Sequence, residues 1–273
     1  MIPITVETDA FHNLELLKQR FRGISFHEKI LRLIQCTPIF SKDELKQEVL
    51  HNAETYPLSH LFGSGKKSAD GRTLTKLSPI DLNNVDSNSE NMEAHMHSVA
   101  LQKEEIIGST ILKTAIDEIS SDKILESDLS FLVEDNPIIP SGREDIFRSA
   151  LYYGITGKLF VALHILAPQV ENLFRELAKN CGAITSTLND DSTSDAKLLT
   201  SVFELPELLD CYDNDILFLF QGLMNEKNGA NIRNNIAHGL MDEWASNSGA
   251  SYFFFCWVIK LLSFTARSCY QSS

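Results

Sequence analysis

The sequence predicts an all-α protein, with a helical bundle at the C-terminal end, an N-terminal helical extension and one small β-hairpin. Three observations carry this prediction. Apolar residues recur at three- and four-residue spacing along most of the 273-residue chain, which marks a buried helical face. Residues that start helices, mainly serine and proline, precede several of those runs. Between the runs lie stretches rich in Gly, Ser, Asn and Asp, and Gly182 to Ser194 is the one with hairpin character. Three consecutive segments follow: an N-terminal helical segment over 1–54, a loop-rich and helical connecting part over 55–140, and a helical domain over 141–273.

Residues 9–22 place Phe11, Leu14, Leu17 and Phe21 at helical spacing behind Asp9. A second helix starts at Ser25 and carries Phe26, Ile30, Leu33 and Ile34. A third starts at Ser41, where Glu44 completes a capping-box pattern. His12, His27 and His51 lie on these helices without metal spacing and read as solvated or capping residues. Residues 55–90 read as loop, with an ordered hairpin near Asp70-Gly71 and a mobile acidic stretch after it. Gly63-Ser64-Gly65-Lys66-Lys67-Ser68 is not a phosphate loop, because that motif separates its glycines by four residues and joins a strand to a helix.

His95 and His97 would share one face of a strand and suit a metal. The following pattern of Met96, Val99, Ala100 and Ile106 through Ile119 is helical, however, and residues two apart on a helix diverge. A solvated helix start is expected, and no metal site. Ser127 to Val133 is a short helix ending before Asn136-Pro137. Ser141 and Glu144 supply another capping box, ahead of a helix that Gly154 and Gly157 interrupt. From Lys158 the helical pattern runs through Leu177, with Pro168 expected to kink it or to start a new helix. Glu171 and Arg175 form either an exposed ion pair at four-residue spacing, or Glu171 faces Arg233 or His238 across the bundle. Further helices cover Leu205–Cys211 and Asp213–Met224, and Asn228-Gly229-Ala230 breaks the chain. After Gly239 a loop with Trp244 leads to a last helix from Ser251 to about Ser268, apolar nearly all round and therefore buried or at an interface.

A net charge of −13 excludes unselective binding to nucleic acid through a basic face, though not a small anchored site. Cys36, Cys181, Cys211, Cys256 and Cys269 are widely spaced and form no CxxC pair, which favours free thiols in a reducing compartment. The N-terminus shows no secretory signal, and the longest apolar run, Tyr252 to Ile259, is too short to span a bilayer. A cytoplasmic protein without a membrane partner is expected.

The stretch Asn231 to Leu240 carries the chemistry. Arg233 is charged at any working pH and its planar fork suits phosphate oxygens. His238 can gain or give a proton near neutrality. On a straight helix the two side chains would stand roughly 140° apart, so they converge only if the helix ends near them or a second copy completes the site. Gly239 suits such an ending, because glycine takes the left-handed position after a helix most easily. The plainer alternative is a surface cation and a polar helix end.

Arg233-Asn234-Asn235-Ile236-Ala237-His238-Gly239 resembles the signature of the HEPN superfamily, small all-α domains in which a polar residue follows Arg and His comes four to six positions after it. Together with Ser59-His60-Leu61-Phe62 and Pro168-Gln169-Val170-Glu171 followed by Arg175, the blocks look like those of one HEPN-containing bacterial family over roughly residues 55–265. The resemblance implies a HEPN-type bundle that forms a homodimer with two Arg/His pairs in one cleft. It also implies a metal-independent endoribonuclease that needs no cofactor, acts on RNA as a toxin or anti-phage effector, and is held in check by an inhibitor or antitoxin. Carried over by position, Arg233 grips the scissile phosphate. His238 serves as general base or acid, Asn234 helps hold phosphate or RNA, and Glu171 steers Arg233 or His238. In a toxin subset a tyrosine two residues past the histidine is nucleotidylated; Leu240 stands there, so that control is not implied. The competing readings are a non-catalytic HEPN module for nucleotide or RNA binding or dimerisation, and a scaffold using the loop 78–93 and the last helix.

Overall fold

A computed structural model describes residues 6–56, 64–67, 73–80, 89–188 and 194–270, and these are predominantly helical. The expected Ser59–Phe62 block, the turn at Asp70-Gly71 and much of the acidic stretch lie outside the described residues. By internal contact the chain forms two compact units, one of residues 1–38, 104–176 and 239–273, the other of residues 39–103 and 177–238.

In the first unit, α1 (Val6–Phe21) has Lys18 and Arg20 in its last turn, where helix carbonyls attract cations. α2 (Phe26–Cys36) begins with a complete capping box: Ser25 Oγ accepts from the Glu28 N–H, and the Glu28 carboxylate accepts from the Ser25 N–H at 3.0 Å. Its Lys29 is buried but paired with Asp122 at 2.7 Å.

The apolar centre of this unit is the last helix of the chain, Gly249–Tyr270, on which Phe253 to Phe255, Trp257, Val258, Ile259 and Leu262 are buried. It packs against α2, against Ser130–Val133 and against a π-helical turn at Gly108–Leu112. Only glycines allow the last of these contacts. A Cβ on Gly108 would stand 1.8 Å from the Gly249 carbonyl oxygen, and one on Gly249 would stand 2.0 Å from the Glu105 carbonyl oxygen. The Glu105 carboxylate accepts the Gly249 N–H at 2.8 Å. Polar ends inside the unit are met as well: Trp257 Nε1 donates to the Pro38 carbonyl at 2.9 Å, and Lys260 donates to the Thr37 carbonyl.

Three expectations are corrected here, the last in one of its two alternatives. The helix Glu144–Ile155 starts after Arg143 without a side-chain cap, because Gly142, at φ +77°, turns the chain between Ser141 and the helix; the Ser141/Glu144 box does not form. Gly154 lies within that helix, where a Cβ would meet the Phe255 ring at 2.2 Å, and the break falls at Gly157 (φ +85°). Of the two alternatives for Pro168, the start of a new helix is not what occurs: the helix is continuous over Leu159–Asn180. The proline removes one backbone bond at a loss of about 3 kcal/mol, yet Leu163, Leu166, Ala167, Val170, Leu173 and Phe174 are fully or almost fully buried on either side of it.

In the second unit, α3 (Lys42–Thr55) starts at Ser41, whose hydroxyl takes the Asp43 N–H, while Asp215 accepts the Lys42 N–H at 2.8 Å. A carboxylate distant in sequence thus serves the first turn, and the Ser41/Glu44 box does not form. Leu45 and Val49 of α3 join Met92, Met96 and Ala100 of α4 (Ser89–Ile107) and Phe218 in the core.

His95 and His97 on α4 are buried, not solvated. The His95 ring donates to the Ser78 carbonyl at 2.8 Å, and the His97 ring stacks on Phe218 at 3.9 Å between centroids. The core stripe on this helix is wide enough to take in both rings beside Met96. The described strands form two hairpins, on either side of Asp70-Gly71 and within the stretch around Gly182 to Ser194, the two places where the sequence reads a hairpin. β1 (Ser64–Lys67) pairs antiparallel with β2 (Thr73–Leu77), and β3 (Ser186–Leu188) with β4 (Ser194–Ala196). Among the described residues no helix is long and apolar enough to cross a membrane.

Candidate functional site

The Arg233 segment belongs to the second unit. It is prepared by Asn214–Met224, a helix started by Asp213, which accepts the Asp215 N–H at 2.8 Å. Past Asn225 the chain folds back so closely that a Cβ on Gly229 would stand 2.2 Å from the Gly222 carbonyl oxygen. That same carbonyl accepts the Asn231 N–H at 3.3 Å. Asn231 itself is left-handed, at φ +56°, a conformation that asparagine tolerates better than most residues. From this bend the short helix Ile232–Ala237 departs, anchored by buried Ile232.

Asparagine amides then hold the arginine. Asn234 Nδ2 donates to Asn231 Oδ1 at 2.8 Å and to the Asn225 carbonyl at 3.3 Å. Asn234 Oδ1 accepts from Arg233 Nη1 at 3.3 Å. Both ends of the Asn234 amide are therefore engaged within the protein, and Arg233 and Asn234 are brought together as a pair. Partly buried Arg233 is oriented through an amide that rests on two backbone bends.

His238 closes the helix as its C-cap, with its N–H donating to the Asn234 carbonyl at 3.0 Å. Gly239 follows at φ +66°, the ending its position in the sequence predicts. The imidazole is exposed, and among the described residues its ring makes no hydrogen bond. This leaves a titratable group open to water directly after the helix that carries Arg233.

Glu171 belongs to the first unit, on the helix that contains Pro168. Its carboxylate takes Arg175 Nη2 at 2.6 Å, and with side chains only 12% and 15% exposed this is not the exposed surface pair that spacing suggests. Gln169 of the same sequence block accepts from Arg143 at 2.8 Å.

Beside the Arg233 segment lie two groups the sequence did not single out. His97 is pressed against Gly222, where a Cβ would stand 2.7 Å from the imidazole Nδ1. Burial, with the Lys42 charge adding to it, holds its pKa down to about 3. Asn225 lends its carbonyl to Asn234, while its own side-chain amide is buried without a partner among the described residues. A histidine two positions from another, next to a Met, gave no hint of this burial. Among the described residues no group of three or more His, Cys, Asp or Glu side chains could hold a metal ion.

No protein-family model matches the chain, and neither does any curated protein or solved structure.

Proposed function

We propose that the chain is a HEPN-type, metal-independent endoribonuclease acting as a toxin or anti-phage effector, with Arg233 and His238 as its catalytic residues. The observation that supports this most is the exposed His238 imidazole at the end of the helix on which an amide chain orients Arg233. His238 takes the proton of a ribose 2′-hydroxyl, and the 2′-oxygen attacks the adjacent phosphorus. Arg233 neutralises the charge that builds on the phosphoryl oxygens. The bond to the 5′-oxygen breaks, that oxygen receives a proton, and the products are a 2′,3′-cyclic phosphate and a 5′-hydroxyl. A second copy of the chain supplies the second imidazole, so that one acts as base and the other as acid. Asn234, with its amide engaged on both sides, is a positioning residue for Arg233, and the Glu171 carboxylate accepts from Arg175 on its own helix.

The test is cleavage of single-stranded and transfer RNA with EDTA present. Arg233→Ala and His238→Ala are each expected to lose about a hundredfold or more in rate while keeping the helical circular dichroism of the wild type. Activity that needs added metal, or that survives both substitutions, sinks the proposal. The net charge of −13 favours a second reading, in which the same residues bind RNA or nucleotide without turnover. Saturable binding that Arg233→Ala weakens, with no cleavage product, selects that reading.

A further inference from the structure

In the first unit, α1, α2 and the π-helical turn border an open cavity of about 950 Å³. Leu14 and Leu17 of α1 and Ile111 of the π turn give it an apolar wall. Where α1 and α2 end, the lining changes to Arg20, Gln35 and Cys36, and these three also line an adjoining recess of about 360 Å³ that adds Arg32. The Arg32 guanidinium donates to the Arg20 carbonyl, which ties the two helix ends together and leaves further N–H donors on both arginines. No Asp or Glu is among the described lining residues, and no ion pair among the described residues involves Arg20 or Arg32.

In a chain of net charge −13, two arginines that make no close ion pair among the described residues, with Glu28 near Arg32 only as a neighbouring charge on the same helix, form at the end of an apolar cavity a complementary set for one kind of molecule. The volume lies in the range of small-ligand sites. One wall comes from a π-helical turn, a feature found disproportionately at functional sites. Helix ends attract cations, which accounts for Arg20 at the end of α1 but not for the apolar space beside it.

We propose that this cavity binds a single-chain fatty carboxylate, with its alkyl chain along Leu14, Leu17 and Ile111 and its carboxylate on Arg20 and Arg32. Cys36, which lines both spaces, provides the readout. The full-length protein is treated with a maleimide, and modification is followed at Cys36 and at exposed Cys211 by peptide mass mapping. Decanoate, below its micellar concentration, is expected to slow modification of Cys36 about fivefold at a near-saturating dose and to leave Cys211 unchanged. Decanol and decyltrimethylammonium are expected to give little protection, and the Arg20→Ala/Arg32→Ala variant is expected to lose it. Should that variant fail to fold, Leu17→Trp, which fills the apolar wall, is expected to lose protection in its place. The proposal is overturned if decanoate does not protect Cys36, if decanol protects equally, or if protection survives in the folded double-arginine variant. It is equally overturned if decyl phosphate protects and decanoate does not, since the site would then take phosphate heads.

Discussion

In the unit built around Gly249–Tyr270, several buried polar atoms meet partners. Trp257 Nε1 reaches the Pro38 carbonyl, Asn136 Nδ2 donates to the Leu132 and Leu262 carbonyls at 2.7 and 2.9 Å, and Lys29 is paired with Asp122. In the unit that carries Arg233, His97 Nε2 and both amide atoms of Asn225 are buried without a hydrogen-bond partner among the described residues. Each such atom is unfavourable by about 1–3 kcal/mol. Unmatched polar groups persist where something other than stability selects the residues. Here they cluster around Gly222: His97 packs on it, Gly229 and Asn231 close over it, and Asn225 three residues on holds Asn234. The residues least well satisfied are the ones that build the platform for Arg233. The second unit thus carries its unmatched hydrogen-bonding atoms where its candidate site is assembled, whereas the local cost in the first is the buried Glu104 carboxyl.

The largest expected effect breaks the first unit. Gly108→Ala and Gly249→Ala each drive a methyl group into backbone atoms that no rotamer change can move. Each is expected to destabilise by on the order of 3–5 kcal/mol. Urea denaturation followed by Trp257 fluorescence, in a Trp244→Phe background, measures it. A loss under about 1 kcal/mol would mean that the close approach of the π turn to the last helix does not hold this unit together.

The next effect sharpens the comparison, because each unit buries one group with an opposite response to pH. His97 stays neutral in the folded protein down to about pH 3, whereas its ordinary value is 6.5. Between these values the unfolded chain binds more protons, so stability falls as pH drops, by about 2 kcal/mol from pH 7 to 5. Glu104 is buried, and burial, with Glu105 adding to it, raises its pKa from 4.5 to about 8. There the folded state binds more protons, so stability falls as pH rises, by about 2–3 kcal/mol from pH 5 to 7. Hydrogen exchange is read at Asn214–Met224 and at Gly249–Tyr270 across this range, for wild type, His97→Gln and Glu104→Gln. His97→Gln should remove the acid-side loss and Glu104→Gln the loss toward neutrality. Slopes that persist in both variants would assign the pH response to other groups.

Most of the helices were legible because their apolar spacing is regular, and the end of the Arg233 helix was legible because Gly239 follows His238. Cap details were less so. Ser41 and Ser141 both precede a glutamate by three residues, yet Asp215 serves the first turn at one and a left-handed Gly142 displaces the other. Pro168 stays within a helix because buried residues on both sides outweigh one missing bond, and local sequence does not report burial. The pairing of Gly108 with Gly249 joins residues more than a hundred positions apart, beyond the reach of any periodicity. At the candidate site the residue types could be read but their contacts could not. Nothing in the spacing says that Asn234 uses its amide on Arg233, Asn231 and the Asn225 carbonyl.

The smallest expected effect separates strain from positioning within the second unit. Asn231 does two things: it takes a left-handed backbone that disfavours most side chains by about 1–2 kcal/mol, and its Oδ1 accepts from Asn234. Asn231→Ala loses both and should destabilise by about 1–2 kcal/mol. Asn231→Gly accommodates the backbone without strain but removes the acceptor, so stability should change by less than about 1 kcal/mol. Asn231→Asp keeps an acceptor oxygen at the same place. If the amide chain orients Arg233, the glycine variant should bind a short single-stranded RNA several-fold more weakly than wild type, while the aspartate variant falls in between, because its added negative charge opposes phosphate. Wild-type affinity in the glycine variant would reduce Asn231 to a backbone bend and leave Arg233 to be held by its other contacts. A loss of affinity that tracks stability across all three variants would point to local unfolding instead, so both quantities are measured on the same preparations.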